Sequence, residues 1–101
     1  MAVIINYGAG NLRSVQKACE FIGTDAKISS DAADILSADR VILPGVGAFG
    51  DCMAALNASG LADPIRTIID KGVPFLGICL GLQLLFEQSE ESPNAQGLGI
   101  F

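Results

Sequence analysis

The segment PFLGICLGLQLL, residues 74–85, decides the fold because it changes from a strand pattern to a helix pattern within a few residues. Its apolar first half, part of VPFLGI at 73–78, predicts a buried strand, and the leucine-rich second half predicts a helix. Cys79 stands between the two halves, with Gly77 and Gly81 two residues away on either side. A sharp strand-to-helix turn requires small residues at those two positions, because larger side chains would collide with the turn. The segment therefore predicts a turn that presents a cysteine sulfur at the end of a strand.

The rest of the chain repeats this alternation of strand and helix patterns. Strands are predicted at AVIIN (2–6), RVILPG (40–45) and, more weakly, DAKIS (25–29). Helix patterns fill the intervals, and the residues that would start or end them are Asn11, Gly23, Asp31, Asp63 with Pro64, and Gly72. SEESPNAQG (89–97) predicts a loop, and LGIF (98–101) predicts the start of another strand. The alternation is typical of a parallel, doubly wound (flavodoxin-like) α/β sheet with helices on both faces.

Three loops are expected at the carboxyl edge of this sheet, where ligands bind in such folds. They are NYGAGN (6–11), PGVGAFG (44–50) and GICLG (77–81). The glycines of the second loop allow its backbone to approach a ligand closely, and the N–H of Val46 is a candidate donor there. The glycine-rich and reactive residues are therefore predicted to gather on one edge of the sheet.

The composition is that of a small acidic domain. The chain has 101 residues, enough for one domain, and a net charge of −5. This charge argues against nucleic acid and anionic membranes as partners, because both need a basic face. No apolar run approaches the ~20 residues of a membrane span, and the N-terminus lacks the charged region of a signal peptide. Three cysteines without CxxC spacing indicate reduced thiols in a cytoplasm and give no support to a metal site.

Cys79 is the candidate nucleophile. At the N-terminus of the predicted helix, the helix dipole and free N–H groups would favour its thiolate form. The N–H of Leu80 would point at an oxyanion formed beside the sulfur, and the N–H of Val46 would be a second donor. Cys19 and Cys52 lie on apolar helical faces without flanking glycines, so we predict that they are small core residues. The same structural role stays open for Cys79 on these grounds alone.

Three segments, INYGAGNLRSV, ILPGVGAFGDCM and GICLGLQLL, resemble the class I (triad) glutamine amidotransferases in their order and spacing. The opening NYGAGNLRSV (6–15) is most similar to the glutaminase subunits of imidazole glycerol phosphate synthase, since amidotransferases for guanine, anthranilate or carbamoyl phosphate synthesis open differently. The resemblance runs along essentially the whole chain. It implies hydrolysis of glutamine to glutamate without a cofactor. It also implies that the ammonia passes to a (β/α)8-barrel synthase (cyclase) subunit, which uses it in histidine biosynthesis.

The resemblance implies a role for each of several residues at the predicted edge. Cys79 would attack the carboxamide carbon of glutamine. The N–H groups of Val46 and Leu80 would form the oxyanion hole, and Gly45 and Gly47 would shape the loop that carries Val46.

Other residues would hold the substrate or meet the partner. Gln83, one helical turn after Cys79, would help to hold glutamine, although a surface helix glutamine explains it equally simply. The interface with the synthase is expected at the first loop, at Tyr7, Asn11 and Ser14. The alternative role of Asn11 is that of a helix cap.

One departure from the family pattern is large. Domains of that family extend well beyond this length, and their catalytic histidine and glutamate lie in the second half, whereas these 101 residues contain no histidine. Residues 1–101 are therefore interpreted as the N-terminal part of a single amidotransferase domain that is inactive alone. The alternatives are another class I amidotransferase, a cysteine-elbow protein of the DJ-1-like group, and a binding module in which Cys79 is structural. Thioester formation that depends on glutamine would separate these classes.

Overall fold

The structure, a computed structural model, describes residues 1–8, 11–78, 80–86 and 97–100 of the chain. Within those ranges the strands form one parallel sheet in the order β2-β1-β3-β4. The strands are β1 (Ala2–Ile5), β2 (Ala26–Ser29), β3 (Arg40–Leu43) and β4 (Phe75–Gly77). The helices are α1 (Leu12–Phe21), α2 (Ala32–Leu36), α3 (Phe49–Ser59), α4 (Ala62–Asp70) and α5 (Leu80–Gln83). This is the parallel α/β architecture that the sequence predicts.

The strand order places the loops of interest side by side. β1 lies between β2 and β3, so the direction of winding changes between β1 and β3. In doubly wound sheets, ligands bind at such a switch point, outside the carboxyl ends of the strands. β3 in turn pairs with β4, and Leu43 at the end of β3 is in register with Gly77. The loops that follow β1, β3 and β4 therefore start from neighbouring positions.

The side chains of the strands alternate between two covered faces, as the pleat of a strand requires. One face packs against α2, α3 and α4 and carries Val3, Ile5, Val41 and Leu43. The other face packs against α1 and carries Ile4 and Ile42. Cys19 and Cys52 lie buried in these two layers, one on each side of the sheet, as their helical positions predict. Helices on both faces confirm the doubly wound arrangement.

The predicted helix starts are only partly correct. Asp31 caps α2 as expected, because its carboxylate accepts a hydrogen bond of 2.9 Å from the N–H of Ala33. α4, however, begins at Ala62 rather than after an Asp63 cap, so Asp63 and Pro64 both lie in its first turn. Pro64 is tolerated there because the N–H groups of a first turn have no helical acceptor to lose.

The end of the described chain differs more from the prediction. α5 stops at Gln83, although the leucine-rich pattern predicts a longer helix. The carbonyl groups of residues 84–86 instead accept hydrogen bonds of 2.7–3.3 Å from the N–H groups of Leu98, Gly99 and Ile100. Residues 98–100 thus turn back onto the end of α5, and no strand forms there, which corrects that prediction. The predicted loop at 89–97 lies outside the described residues except for Gly97, and Phe101 lies outside them as well.

Among the described residues, no helix combines the length and the apolar character that a membrane crossing requires.

Candidate active site

The residue before Cys79 is hydrogen-bonded to the end of β3. The N–H of Ile78 donates to the carbonyl oxygen of Leu43 at 3.0 Å, and the N–H of Gly81 donates to the carbonyl oxygen of Ile78 at 2.9 Å. Cys79 itself lies outside the described residues, so its part in the site stays a prediction. Its neighbours Ile78 and Gly81 lie at the same edge of the sheet as the PGVG segment, residues 44–47.

Gly81 makes this approach possible because a larger residue would not fit. A Cβ atom built on Gly81 would lie 1.9 Å from the carbonyl oxygen of Leu43 and 3.1 Å from the carbonyl carbon of Pro44. Both are backbone atoms, so they have no side-chain freedom with which to move away. The requirement for a small residue two positions after the cysteine, predicted from the sequence, therefore has a definite steric cause here.

We expect Gly81→Ala to destabilise the protein by about 3 kcal/mol or more, since the added methyl group must displace backbone in a packed region. This loss is opposite in sign to the effect of helix propensity, which favours alanine over glycine in a helix by about 1 kcal/mol. Urea unfolding of a protein that carries this sequence measures the loss. Gly23→Ala is the matched control, because Gly23 has φ +80° and open space around its Cβ position. It should lose only the strain energy, about 1–2 kcal/mol. An equal or smaller loss for Gly81→Ala would contradict the close approach.

The PGVG segment leaves β3 with its middle turned outward. Pro44 and Gly45 are buried, whereas the side chain of Val46 is 54% exposed. Gly47 has φ +93°, a left-handed conformation that a side chain other than glycine's adopts only with strain. The segment is therefore held at its base and open at Val46, as a loop that must meet a ligand would be.

Two side chains hold this segment in a way that the sequence does not predict: Tyr7, which is expected at the partner interface, and Cys52, which is expected only as a core residue. The hydroxyl of Tyr7 donates to the carbonyl oxygen of Pro44 at 2.5 Å, in a buried position. The Sγ–H of Cys52 donates to the carbonyl oxygen of Val46 at 3.2 Å. Burial and the adjacent Cys52 sulfur raise the pKa of Tyr7 well above its usual range, so the hydroxyl keeps its proton and remains a donor. No sequence signal marks either contact, because each joins residues of different elements.

The residues predicted at the partner interface lie in two different environments. Asn11 and Ser14 are exposed. Asn11 occupies the N-cap position of α1, but its side chain makes no capping hydrogen bond, so the cap role is not realised by the amide group. Tyr7 is only 4% exposed and its hydroxyl faces Pro44, so its side chain does not suit direct contact with a partner. Asn11 and Ser14 remain candidates for that surface.

The helix after Cys79 is shorter than the sequence predicts. α5 has four residues, so few peptide dipoles align behind position 79. The stabilisation of a Cys79 thiolate by this helix stays a prediction. Gln83, the last residue of α5, is exposed and able to meet a ligand from solvent. Leu80 is the first residue of α5, and its role as an oxyanion donor stays a prediction.

A groove of about 630 Å³ lies elsewhere, on the face of the sheet that carries α1. Its lining is mostly apolar and comes from α1, β3, β4 and their flanking residues, including Ile22, Phe75 and Leu76. It does not include the PGVG segment. In the described part of the chain, no cluster of histidine, cysteine, aspartate and glutamate has the grouping that would hold a metal ion.

Comparison with known proteins decides the family. The family model described as "Glutamine amidotransferase class-I" matches residues 3–95. The chain belongs to this family. This class I amidotransferase chain also resembles a solved structure titled "Crystal structure of glutamine amidotransferase", with a TM-score of 0.80 over 97% of this chain and 52% of that one. At 22% sequence identity, that likeness supports the fold alone.

Closer relatives carry a more specific name. The "Imidazole glycerol phosphate synthase subunit HisH" of Syntrophotalea carbinolica is 57% identical over 100 residues, which are 99% of this chain and 48% of that protein. The protein of the same name from Caldanaerobacter subterraneus subsp. tengcongensis is 56% identical over 101 residues, which are 100% of this chain and 50% of that protein. This amidotransferase chain therefore spans about half the length of the relatives it matches.

Proposed function

We propose that a protein carrying this sequence is the glutaminase subunit of imidazole glycerol phosphate synthase and hydrolyses glutamine to glutamate and ammonia. The observation that carries the proposal is the joining of the residues around Cys79 to the base of the PGVG segment, through the Ile78–Leu43 hydrogen bond and the steric fit of Gly81. The class I family match and the names of relatives 56–57% identical support it. The odd cysteine count and the absence of a membrane-type sequence pattern suit a protein of the cytoplasm.

In the proposed reaction, the thiolate of Cys79 adds to the carboxamide carbon of glutamine. The N–H groups of Val46 and Leu80 stabilise the resulting oxyanion, and Gln83 contacts the bound substrate. The carbon–nitrogen bond then breaks, and the leaving nitrogen departs as ammonia after it receives a proton. Water hydrolyses the thioester and releases glutamate.

The proton transfers need a group beyond residues 1–101. These residues contain no histidine, and a general acid–base group contributes on the order of 10²–10⁴ to such a rate. We therefore propose that residues 1–101 form the N-terminal part of one amidotransferase domain and that the remaining catalytic groups belong to the rest of it. The relatives' greater length supports this division.

Ammonia would pass to a (β/α)8-barrel synthase subunit, which would bind near Asn11 and Ser14. Both residues are exposed at the start of α1, beside the loop that follows β1. Tyr7 would contribute from inside, through its contact with Pro44. Binding there would set the orientation of the Val46 peptide, so that glutamine is hydrolysed when the partner is ready to use the ammonia.

Trapping of the thioester tests the proposed reaction. The full-length subunit is mixed with its partner and glutamine, quenched in acid during turnover and digested, and each cysteine peptide is examined by mass spectrometry. We expect a glutamyl adduct on Cys79 and none on Cys19 or Cys52, which are buried in the two core layers. Asparagine, one methylene shorter, is the matched substrate control and should leave no adduct. Release of ammonia from glutamine with no adduct on Cys79 would contradict the mechanism, and no release at all would contradict the function.

A further inference from the structure

We propose that Tyr7 and Cys52 are positioning residues for glutamine hydrolysis, which together hold the PGVG segment so that the Val46 N–H lies where the oxyanion forms. This inference rests on the proposed function and assigns to it two residues that do not touch the substrate. Tyr7 follows β1 and Cys52 lies in α3, so the two residues reach the segment from different elements.

Each of the two side chains hydrogen-bonds to one peptide group of the PGVG segment. The peptide group between these two receives no hydrogen bond from either side chain. Tyr7 binds the carbonyl oxygen of Pro44 and so holds the Pro44–Gly45 peptide. Cys52 binds the carbonyl oxygen of Val46 and so holds the Val46–Gly47 peptide. The peptide between them, Gly45–Val46, carries the N–H that the reaction needs. Within the described ranges, this middle peptide makes no hydrogen bond.

This arrangement combines a fixed position with a free orientation. Both ends of the Gly45–Val46 peptide are anchored, so its centre stays in place relative to β3. Rotation about the bonds on either side of it still turns the N–H, because Gly45 adds no side chain and Val46 is 54% exposed. The anchors therefore determine where the N–H is, and the ligand or the partner determines which way it points.

The side chains of Tyr7 and Cys52 are both buried, and they lie next to each other. Tyr7 is 4% exposed and Cys52 is 2% exposed. The Tyr7–Pro44 hydrogen bond is buried and the Cys52–Val46 bond is partly buried, so water is excluded more fully from the first bond than from the second. The Cys52 sulfur also lies beside the Tyr7 hydroxyl and contributes to the raised pKa of that group. Replacing Tyr7 by phenylalanine would keep the ring in the core but leave the carbonyl of Pro44 without its donor, which weakens the hold on the segment.

The test compares Tyr7→Phe, Cys52→Ala and Cys52→Ser in the full-length subunit bound to its partner. A serine hydroxyl donates as a thiol does, so Cys52→Ser restores the anchor that Cys52→Ala removes. Cys19→Ala is the control, because Cys19 is a buried free cysteine on the opposite face of the sheet. The readouts are kcat and KM for glutamine and the rate at which iodoacetamide alkylates Cys79, since alkylation needs the thiolate but no oxyanion donor.

We expect Tyr7→Phe and Cys52→Ala each to lower kcat by about 2- to 12-fold, the range that corresponds to one hydrogen bond. KM and the alkylation rate should stay near the parent values, Cys52→Ser should recover most of kcat, and Cys19→Ala should leave kcat unchanged. Unchanged kcat in both Tyr7→Phe and Cys52→Ala overturns the inference while the proposed function stands. An alkylation rate that falls in step with kcat also overturns it, because the whole site is then disturbed. A parent protein without glutaminase activity overturns both.

Discussion

Replacement of Cys79 by alanine is expected to abolish glutamine hydrolysis in the full-length subunit, with a fall in kcat of at least about 10³-fold. The proposed reaction passes through a thioester on this sulfur, and removal of a nucleophile that acts as a unit with its base removes nearly the whole of that catalysis. Ammonia release with the partner present measures the effect. Binding of the partner should not change, because the substitution removes one sulfur atom from a position outside the proposed interface.

Cys19→Ala and the isolated 101-residue chain provide the comparisons for that experiment. Cys19 is buried behind the sheet on the α1 side, so its replacement should lower stability and leave kcat at the parent value. The isolated chain should release ammonia only at background rates, because it has no histidine to move the protons. A Cys79→Ala subunit that stays within about tenfold of the parent would show that another group attacks glutamine.

Replacement of Gly47 by valine is expected to lower partner-stimulated kcat by about 10²–10³-fold, the effect of losing one oxyanion donor. Gly47 has φ +93°, where a β-branched residue is strongly strained. A Cβ there meets no atom within 4 Å, so the effect comes from the backbone rather than from a collision. Relief of the strain would rotate the Val46–Gly47 peptide, draw the Val46 carbonyl away from Cys52 and displace the Val46 N–H.

Gly60→Val separates this local effect from a general loss of stability. Gly60 ends α3 with φ +74° and also has open space around its Cβ position. Both variants should lose stability through similar strain, which denaturant unfolding measures, whereas kcat and its stimulation by the partner should fall only in Gly47→Val. If Gly47→Val keeps both the parent kcat and the parent degree of stimulation, the Val46 N–H is not the donor that the reaction uses.

The sequence by itself determined the strands and the two layers of helices that cover them. Four apolar or alternating segments form parallel strands, because short β-branched runs bounded by turn residues bury their side chains best in a sheet. The helical faces that carry Cys19 and Cys52 point into the core for the same reason. The glycine at position 81 was predictable as well, since the turn around a strand-end cysteine needs a small residue there.

Only the tertiary structure decided how the PGVG segment is held and where α5 ends. The contact from Tyr7 to Pro44 depends on the β2-β1-β3-β4 order, which places the end of β1 beside the end of β3. The contact from Cys52 to Val46 depends on how the chain turns from the PGVG segment into α3. α5 stops after four residues because Leu98, Gly99 and Ile100 supply the hydrogen-bond donors for the carbonyl groups beyond it. The Tyr7–Pro44 pair and the pairs beyond α5 join groups that are distant in the chain. Local propensity and periodicity describe neighbours in sequence, so they carry no information about which distant donor reaches which carbonyl group.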